Sequence, residues 1–302
     1  MKDGIHAMQS DHLYAEFTAR GAEMISLFSK KTRQEYLWRP NPAVWNQSAP
    51  ILFPIVGRLK NGKYTYKGKS YMLPPHGFVS NALFTTDGPL DNTLTYSFSD
   101  TKDTRALFPF KFTLNIIYTL KWNQLEIVYQ VVNKTDGPMY FSCGSHEGYV
   151  CPRNEDEAFE DYYLEFEAEE SYKSLTVTAD GLLSREEYPV IEKGKVLPLN
   201  YDLFDNDSLV FADIPSSKVM LCSKKSKTKI EVKYEDAPNL VLWTQRGAKY
   251  ICIEPWDGLP DFEDGDGTFE NKTGIVMLEK AETYNWRHTI VIYEALEDFH
   301  EN

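Results

Sequence analysis

The sequence has no run of about 20 apolar residues, which is the length that a membrane-spanning helix requires. The opening segment, residues 1–8, also lacks the apolar core of a secretion signal. Positive charge is scarce, because 32 lysines and arginines face 45 aspartates and glutamates, for a formal net charge of -13. Nucleic acids and anionic membranes would repel such a protein, so we expect neither as a partner. The sequence therefore predicts a cytoplasmic protein, monomer or homodimer, that binds a small neutral molecule.

Cysteine is also rare. The chain has four, without the Cys-x-x-Cys spacing of many zinc sites, and their scatter does not indicate a disulfide scaffold. Residues two apart on a strand share a face, so Cys252 would lie on the same face as Glu254, whereas Cys143 would face away from His146. A thiol nucleophile is one interpretation of Cys252, but we favour small hydrophobic core residues at both positions. The four cysteines are Cys143, Cys151, Cys222 and Cys252.

No segment rich in proline, glycine or serine divides the chain, and no internal repeat or low-complexity tract is present. A chain of 302 residues can form one large all-β domain. We therefore expect residues 1–302 to form a single domain.

Most of the chain has the pattern of β-strands. Many segments alternate apolar and polar residues or are rich in β-branched and aromatic residues, and turn signals such as Asn61-Gly62 and Asp180-Gly181 separate them. The best helix candidate, residues 184–192, contains Pro189 and would form a turn or two at most. The pattern predicts an all-β fold, a large antiparallel β-sandwich. The predicted strands are 93–98, 112–120, 125–132, 162–166, 174–178, 218–222, 229–234, 240–244, 250–254, 274–278 and 283–293.

Four residues in separate segments are candidates for a catalytic site: Arg58, His76, His146 and Glu254. Each is set among glycines, prolines and aromatics. Two histidines, a carboxylate and an arginine can move protons on and off a neutral polar substrate at pH 7. Glu254 lies in an apolar strand, where a charge is costly unless it is paired or functional. Taken alone, His76 would more often be structural and Arg58 could be a surface residue. The set of four favours a common site.

The order and setting of these segments resemble the aldose 1-epimerase (galactose mutarotase) family and, within it, the branch of LacX-like proteins. The resemblance runs nearly end to end, and it implies the super-sandwich fold of that family. It also implies its activity, which interconverts the α and β anomers of a free aldose by acid-base ring opening and closure, without a metal or organic cofactor. The further segments that carry the resemblance are 21–27, 35–38, 108–110, 132–133, 203–207 and 256–261.

The resemblance also implies roles for single residues. Glu254 would be the base on the C1 hydroxyl, His146 the acid at the ring oxygen, and His76 a second donor near the same oxygen. These types suit the chemistry, because histidine can hold a proton near neutral pH and partial burial raises the pKa of a carboxyl group. Many relatives have Gly-His-Pro at the acid, whereas this chain has Ser145-His146-Glu147. Glu147 could raise the pKa of His146 or indicate a different sugar.

The sugar, a hexose such as galactose or glucose, would be held by further residues. Arg58 would bind its hydroxyl groups together with an aspartate, which could be Asp205 or Asp207. Trp256 and Phe78, with Tyr149, would offer apolar faces on which a sugar ring can stack.

Two alternative functions remain open at this point. A non-catalytic carbohydrate-binding protein on the same scaffold would need the aromatic residues and Arg58 but not the pair of His146 and Glu254. A sugar-phosphate mutarotase should place several arginines or lysines at the mouth of its pocket. The acidic stretch 257–270 argues against phosphate if it lies near that mouth, and we expect a solvated loop there because its spacing does not fit an EF-hand calcium site.

Overall fold

The structure is a computed structural model that describes residues 4–294. This part of the chain forms twenty β-strands, one short α-helix and five 3₁₀ helices. The strands are β1 (Ile5–Gln9), β2 (Leu13–Thr18), β3 (Met24–Ser29), β4 (Lys63–Tyr66), β5 (Lys69–Met72), β6 (Thr93–Ser99), β7 (Phe112–Lys121), β8 (Gln124–Asn133), β9 (Met139–Phe141), β10 (Cys143–Gly144), β11 (Glu147–Val150), β12 (Tyr162–Val177), β13 (Leu183–Pro198), β14 (Leu209–Phe211), β15 (Lys218–Ser223), β16 (Lys229–Lys233), β17 (Asn239–Trp243), β18 (Tyr250–Asp257), β19 (Val276–Leu278) and β20 (Thr283–Tyr293). The helices are α1 (Lys102–Leu107) and the 3₁₀ helices Lys60–Gly62, Val79–Asn81, Phe159–Asp161, Tyr201–Phe204 and Phe269–Asn271.

Thirteen of these strands form one large sheet in the order β10-β18-β17-β14-β12-β15-β16-β20-β8-β7-β6, with β11 also paired to β18 and β13 to β12. A second sheet contains β1, β2 and β3, and two hairpin-sized sheets pair β4 with β5 and β9 with β19. The named strands pair antiparallel throughout. The prediction of a large all-β, antiparallel fold is confirmed.

The predicted short helix at 184–192 is wrong, because these residues lie within β13. Strand β13 pairs only with β12 in the described sheet, and such an edge strand tolerates Pro189, whose backbone cannot donate a ladder hydrogen bond. The observed helix is α1, which begins after Thr101. The side chain of Thr101 accepts a hydrogen bond from the backbone of Thr104 in a capping box. At six residues, α1 is too short to cross a membrane, and no other helix in residues 4–294 is long and apolar enough to do so.

The core follows the alternation of the strands. Along β7, the side chains of Phe112, Leu114 and Ile116 are fully buried, and the residues between them are partly exposed. Burial of each such side chain stabilises the fold by about 1.5–3 kcal/mol. Strand β18 differs, because all eight of its residues are buried. It lies between β17 on one side and β10 and β11 on the other, so Glu254 sits in an interior strand whose two edges are both paired.

Candidate active site

One large cavity, about 930 Å³ in volume, opens beside β18. The four residues singled out in the sequence, Arg58, His76, His146 and Glu254, all line it. Its volume lies near the top of the range of about 300–1,000 Å³ that small-molecule sites occupy. The segments that are far apart in the sequence therefore meet at one site.

Strand β18 sets the floor of this cavity. Residues two apart on a strand share a face, so Cys252, Glu254 and Trp256 lie on one side, and the last two line the cavity. Gly144 of β10 pairs with Trp256, and a Cβ atom at residue 144 would lie 2.5 Å from Cδ1 of the indole. Glycine is thus required at residue 144 if Trp256 is to keep its place. The Trp256 indole N–H donates a hydrogen bond to the Ser145 carbonyl at 3.1 Å.

His146 and Glu254 are immediate neighbours. The Nδ1 atom of His146 lies 3.5 Å from Oε1 of Glu254, and their side chains are 12% and 1% exposed. Within residues 4–294, neither His146 Nδ1 nor Glu254 Oε2 has a hydrogen-bond partner, although both atoms are buried. Buried polar atoms in proteins are nearly always bonded, so two unpartnered atoms this close together are unusual and mark the pair as a candidate for function.

Burial shifts both groups of this pair toward their neutral forms. Burial raises the pKa of Glu254 well above its ordinary value, and the negative charges of Glu147 and Asp207 raise it further. Burial lowers the pKa of His146 well below its ordinary value, and nearby His76 lowers it further. Both shifts favour the form in which the pair carries one titratable proton, on the carboxyl group of Glu254 beside a neutral imidazole.

His76 is a neutral donor in this environment. Its Nδ1 atom accepts a hydrogen bond from the Gly57 backbone N–H at 3.2 Å, so its proton must be on Nε2. Burial and then the charge of Arg58 lower the pKa of His76 to about 4. The residue has a φ of +62°, and the next residue, Gly77, packs so tightly that a Cβ atom there would lie 2.1 Å from the Phe53 carbonyl oxygen. This backbone fixes the ring at the cavity wall.

Of the two candidate aspartates, Asp207 lines the cavity and Asp205 does not. Asp205 instead forms an exposed ion pair with Arg246, with Oδ1 and Nη2 at 2.5 Å. Arg58 is exposed in the cavity and forms no ion pair with any described carboxylate. Arg58 and Asp207 are therefore the charged groups that the cavity offers to hydroxyl groups of a ligand.

The aromatic lining differs in part from the expectation. Trp256 lines the cavity, but Phe78 packs against the core beside Phe108, with ring centroids 6.5 Å apart. Tyr149 is also buried in the core. Two tryptophans that the sequence did not single out, Trp45 and Trp243, line the cavity instead. Their ring centroids lie 5.1 and 5.7 Å from that of His146.

Glu147 does not raise the pKa of His146, although the sequence suggested that it could. The pKa of His146 is lowered, not raised, and Glu147 is not among the causes. The Glu147 carboxylate is buried and lies 2.9 Å from Nε2 of His288, which is fully buried too. Glu147 and His288 both lie in the core. The negative charge of Glu147 raises the pKa of Glu254 instead.

The acidic stretch 257–270 contributes Pro260 to the cavity but none of its carboxylates, and two of these, Asp261 and Asp264, pair with protein cations. The Lys272 ammonium group is buried and lies 2.7 Å from Oδ1 of Asp261, and Arg185 pairs with Asp264. An ammonium group thus occupies the place that a calcium ion would take at Asp261. The backbone N–H of Asp261 also donates to the Arg58 carbonyl at 2.8 Å, so this loop supports the cavity wall.

Replacing Arg58 with glutamine should raise the pKa of His76 above about 4, because the positive charge that disfavours a second positive charge is removed. The side-chain resonances of His76, followed by NMR as a function of pH, would measure this change. Arg287→Gln is the matched control, because Arg287 is an exposed arginine that pairs with Asp236 and does not line the cavity. An unchanged pKa of His76 in the Arg58 variant would contradict the described electrostatics.

Several known proteins resemble this chain over nearly its whole length. The family model of aldose 1-epimerases matches residues 5–290. The chromosomal protein LacX of Lactococcus lactis subsp. lactis is 32% identical over 296 residues, which cover 94% of this chain and 98% of LacX. The solved structure of a galactose mutarotase related enzyme from Lactobacillus acidophilus is 33% identical, has a TM-score of 0.93, and is matched over 98% of this chain and 99% of that one.

A second solved structure, a galactose mutarotase-like protein from Lactobacillus casei, is 28% identical with a TM-score of 0.90, over 96% of this chain and 100% of that one. The family model covers most of the chain, and the sequence and structural matches extend over nearly its whole length. The resemblance inferred from the motifs is confirmed, and the chain belongs to the aldose 1-epimerase family.

Proposed function

We propose that the protein is an aldose 1-epimerase that interconverts the α and β anomers of a free aldose, such as galactose or glucose. The observation that carries this proposal is the buried pair of His146 and Glu254, 3.5 Å apart in a cavity of sugar-binding character. The C1 hydroxyl oxygen and the ring oxygen are both bonded to C1. An acid and a base that act on them must therefore both lie within hydrogen-bond reach of one sugar, which the separation of these two residues allows.

The reaction proceeds through the open-chain aldehyde. The Glu254 carboxylate takes the proton of the C1 hydroxyl, and His146 gives a proton to the ring oxygen as the bond between C1 and that oxygen breaks. Rotation about the bond between C1 and C2 exposes the other face of the aldehyde, and the same transfers in reverse close the ring. One proton is taken and one is given, so the pair returns to its starting proton count.

The other lining residues hold the sugar. The Nε2–H of His76 is a second donor near the ring oxygen, and Arg58 and Asp207 bind hydroxyl groups. Trp256 offers the apolar face on which a sugar ring stacks. The one titratable proton of the pair can occupy either group, and its transfer from Glu254 to His146 over the 3.5 Å between them gives the carboxylate and imidazolium that the reaction requires.

This one-proton state predicts a bell-shaped dependence of kcat/KM on pH. At low pH a second proton binds to the pair, and no carboxylate is left to act as the base. At high pH the pair loses its only proton, and no acid is left to protonate the ring oxygen. Because the pKa of His146 is lowered from 6.5, the acid limb should lie below pH 6.5. Mutarotation rates measured across pH, with the spontaneous rate subtracted at each value, would test this. An acid limb centred above 6.5 would contradict the assignment.

Removal of metal ions should leave the activity unchanged. The donor atoms of His146, Cys252 and Glu254 lie within 4.8 Å of one another, which is a separation that a shared ion could bridge. The proposed reaction instead requires His146 and Glu254 to exchange protons freely. Dialysis against a chelator, followed by polarimetry with and without added Zn²⁺, is the measurement. A loss of activity that Zn²⁺ restores would contradict the acid-base account.

The lining favours a neutral sugar over a sugar phosphate. Among the described lining residues are two arginines, Arg20 and Arg58, and no lysine, whereas three carboxylates, Glu23, Asp207 and Glu254, face the same cavity. A non-catalytic binding protein would have no need of a buried, ionisable pair, whose desolvation costs stability. These two observations favour the mutarotase over both alternatives.

Polarimetry of freshly dissolved single anomers tests the proposal. A panel of aldoses with and without a phosphate group, each measured with and without protein, would identify the substrate class. We expect a rate above the spontaneous rate for at least one free hexose. Acceleration confined to phosphorylated sugars, or sugar binding without any acceleration, would overturn the proposal in favour of the corresponding alternative.

A further inference from the structure

The cavity is much larger than one hexose requires. Its volume of about 930 Å³ is that of a site for a drug-sized ligand, and a single sugar ring held at Glu254 would leave much of it unfilled. The additional wall contains Arg20, Asn46, Gln47, Ser80 and Asn81, which the proposed reaction does not use. We refer to these five residues as the polar wall.

The polar wall is held in place by backbone contacts between three segments. The Arg20 guanidinium donates to the Asn81 carbonyl at 3.3 Å, and the Gly21 backbone N–H donates to the Ala82 carbonyl at 2.7 Å. The Glu23 carboxylate accepts hydrogen bonds from the backbone N–H groups of Ser48 and Ala49 at 2.6 and 3.0 Å. These bonds fix the strand end at Arg20, the loop at 46–49 and the 3₁₀ helix Val79–Asn81 relative to one another.

The amide side chains of the polar wall have unused hydrogen-bonding capacity. Within residues 4–294, the side-chain amides of Asn46, Gln47 and Asn81 form no hydrogen bond to the protein, although all three line the cavity. An amide offers both donors and acceptors, which is what a neutral hydroxyl group requires, because it donates one hydrogen bond and accepts others. The wall is therefore suited to a ligand rich in hydroxyl groups.

The polar wall begins directly beside the acid. Trp45 precedes Asn46 in the chain, and its ring centroid lies 5.1 Å from that of His146. Its indole lines the same cavity as the amides and provides an apolar surface there. A sugar that reacts at C1 must keep that carbon free, so any second sugar unit has to be joined through another hydroxyl of the reacting ring.

We propose that the polar wall is a second sugar subsite and that the preferred substrate is a neutral reducing disaccharide or longer oligosaccharide, with its reducing-end ring at His146 and Glu254. This inference rests on the proposed function. The second unit lies on Trp45 and donates and accepts hydrogen bonds at Asn46, Gln47 and Asn81. A neutral unit is favoured because the carboxylate of Glu23 lines the cavity alongside the charge of Arg20.

Mutarotation of a hexose and of a reducing disaccharide with the same hexose at its reducing end tests the proposal. We expect a kcat/KM about tenfold higher for the disaccharide, mainly through KM. Asn46→Ala and Asn81→Ala should each raise KM for the disaccharide by about two- to tenfold, the effect of one hydrogen bond, and leave the hexose unchanged. Gln124→Ala, an exposed amide on β8 that does not line the cavity, is the control. Equal kcat/KM for both sugars, with variants that affect neither, would overturn the subsite.

Calorimetric binding of the same two sugars separates this inference from the proposed function. If no aldose is accelerated but the disaccharide binds more tightly than the hexose and Asn81→Ala removes the difference, the subsite stands and the mutarotase proposal fails. If hexoses are accelerated and the disaccharide binds no more tightly, the subsite fails alone. Tighter binding of a phosphorylated disaccharide than of the neutral one would overturn the assignment to neutral sugars.

Discussion

Replacing Glu254 with glutamine should slow enzyme-catalysed anomer exchange by a factor of about 10² or more and leave the fold intact. Glutamine has nearly the same shape but cannot take the proton of the C1 hydroxyl. Burial opposes a charge at residue 254 by raising the pKa of the carboxyl group, so a neutral amide there should not lower stability. Polarimetry of single anomers, corrected for spontaneous exchange, would measure the rate, and the unfolding midpoint in urea would confirm the fold.

Two further variants complete this experiment. His146→Asn should cause a loss of similar size, because the acid at the ring oxygen is removed. Glu231→Gln is the matched control, since Glu231 is a buried glutamate in β16 that accepts a hydrogen bond from Tyr293 and does not line the cavity. A Glu254→Gln protein with wild-type rates would exclude the base role, and a Glu231→Gln protein as slow as the Glu254 variant would attribute the loss to damage of the fold.

The second large effect concerns stability. His288→Ala should lower the free energy of unfolding by about 3–5 kcal/mol, because it leaves the Glu147 carboxylate without its partner in the core. The two side chains are 0% and 3% exposed, and they lie 2.9 Å apart. In residues 4–294 the other carboxylate oxygen, Oε2 of Glu147, has no hydrogen-bond partner that could compensate. Urea unfolding followed by tryptophan fluorescence is the measurement.

The double variant Glu147→Leu with His288→Leu distinguishes the loss of the polar interaction from the loss of side-chain packing. Apolar residues at both positions leave no polar group unpaired, so most of the stability should return. A His288→Ala protein that loses less than about 1 kcal/mol would contradict the account, because that is the range of an exposed ion pair.

The strands could be predicted from the sequence because burial of one face imposes a two-residue period. Their extent and pairing could not be predicted in the same way. The segments 162–166 and 174–178 are predicted as two strands, yet the 16-residue strand β12 runs from Tyr162 to Val177 and continues through residues 167–171, of which only Ala168 is apolar. There the bulged pairing with β13 supplies the hydrogen bonds, so the strand continues without an apolar pattern.

Residues of the candidate site could be proposed from the sequence where their chemistry is unusual for the surrounding residues. Glu254 was identifiable because a carboxylate in an apolar strand is costly. Trp243 was not, because its place in the cavity follows from its pairing with Cys252, which no local pattern reveals. Asp205 and Asp207 were equivalent in sequence, and the ion pair of Asp205 with Arg246 distinguishes them in space. Phe78 resembles a stacking residue in sequence, but its ring packs against the core.

Anomeric proton exchange at equilibrium is the most direct measurement of whether this pair of side chains moves protons on a sugar. In an equilibrated aldose solution, magnetisation transfer between the α and β anomeric proton signals reports the exchange rate without any net reaction. The proposed acid-base mechanism predicts an exchange rate that rises in proportion to the concentration of wild-type protein. With Glu254→Gln, the exchange rate should fall close to the spontaneous rate. Exchange that is independent of protein concentration for every aldose, at protein concentrations that bind the sugar, would contradict it.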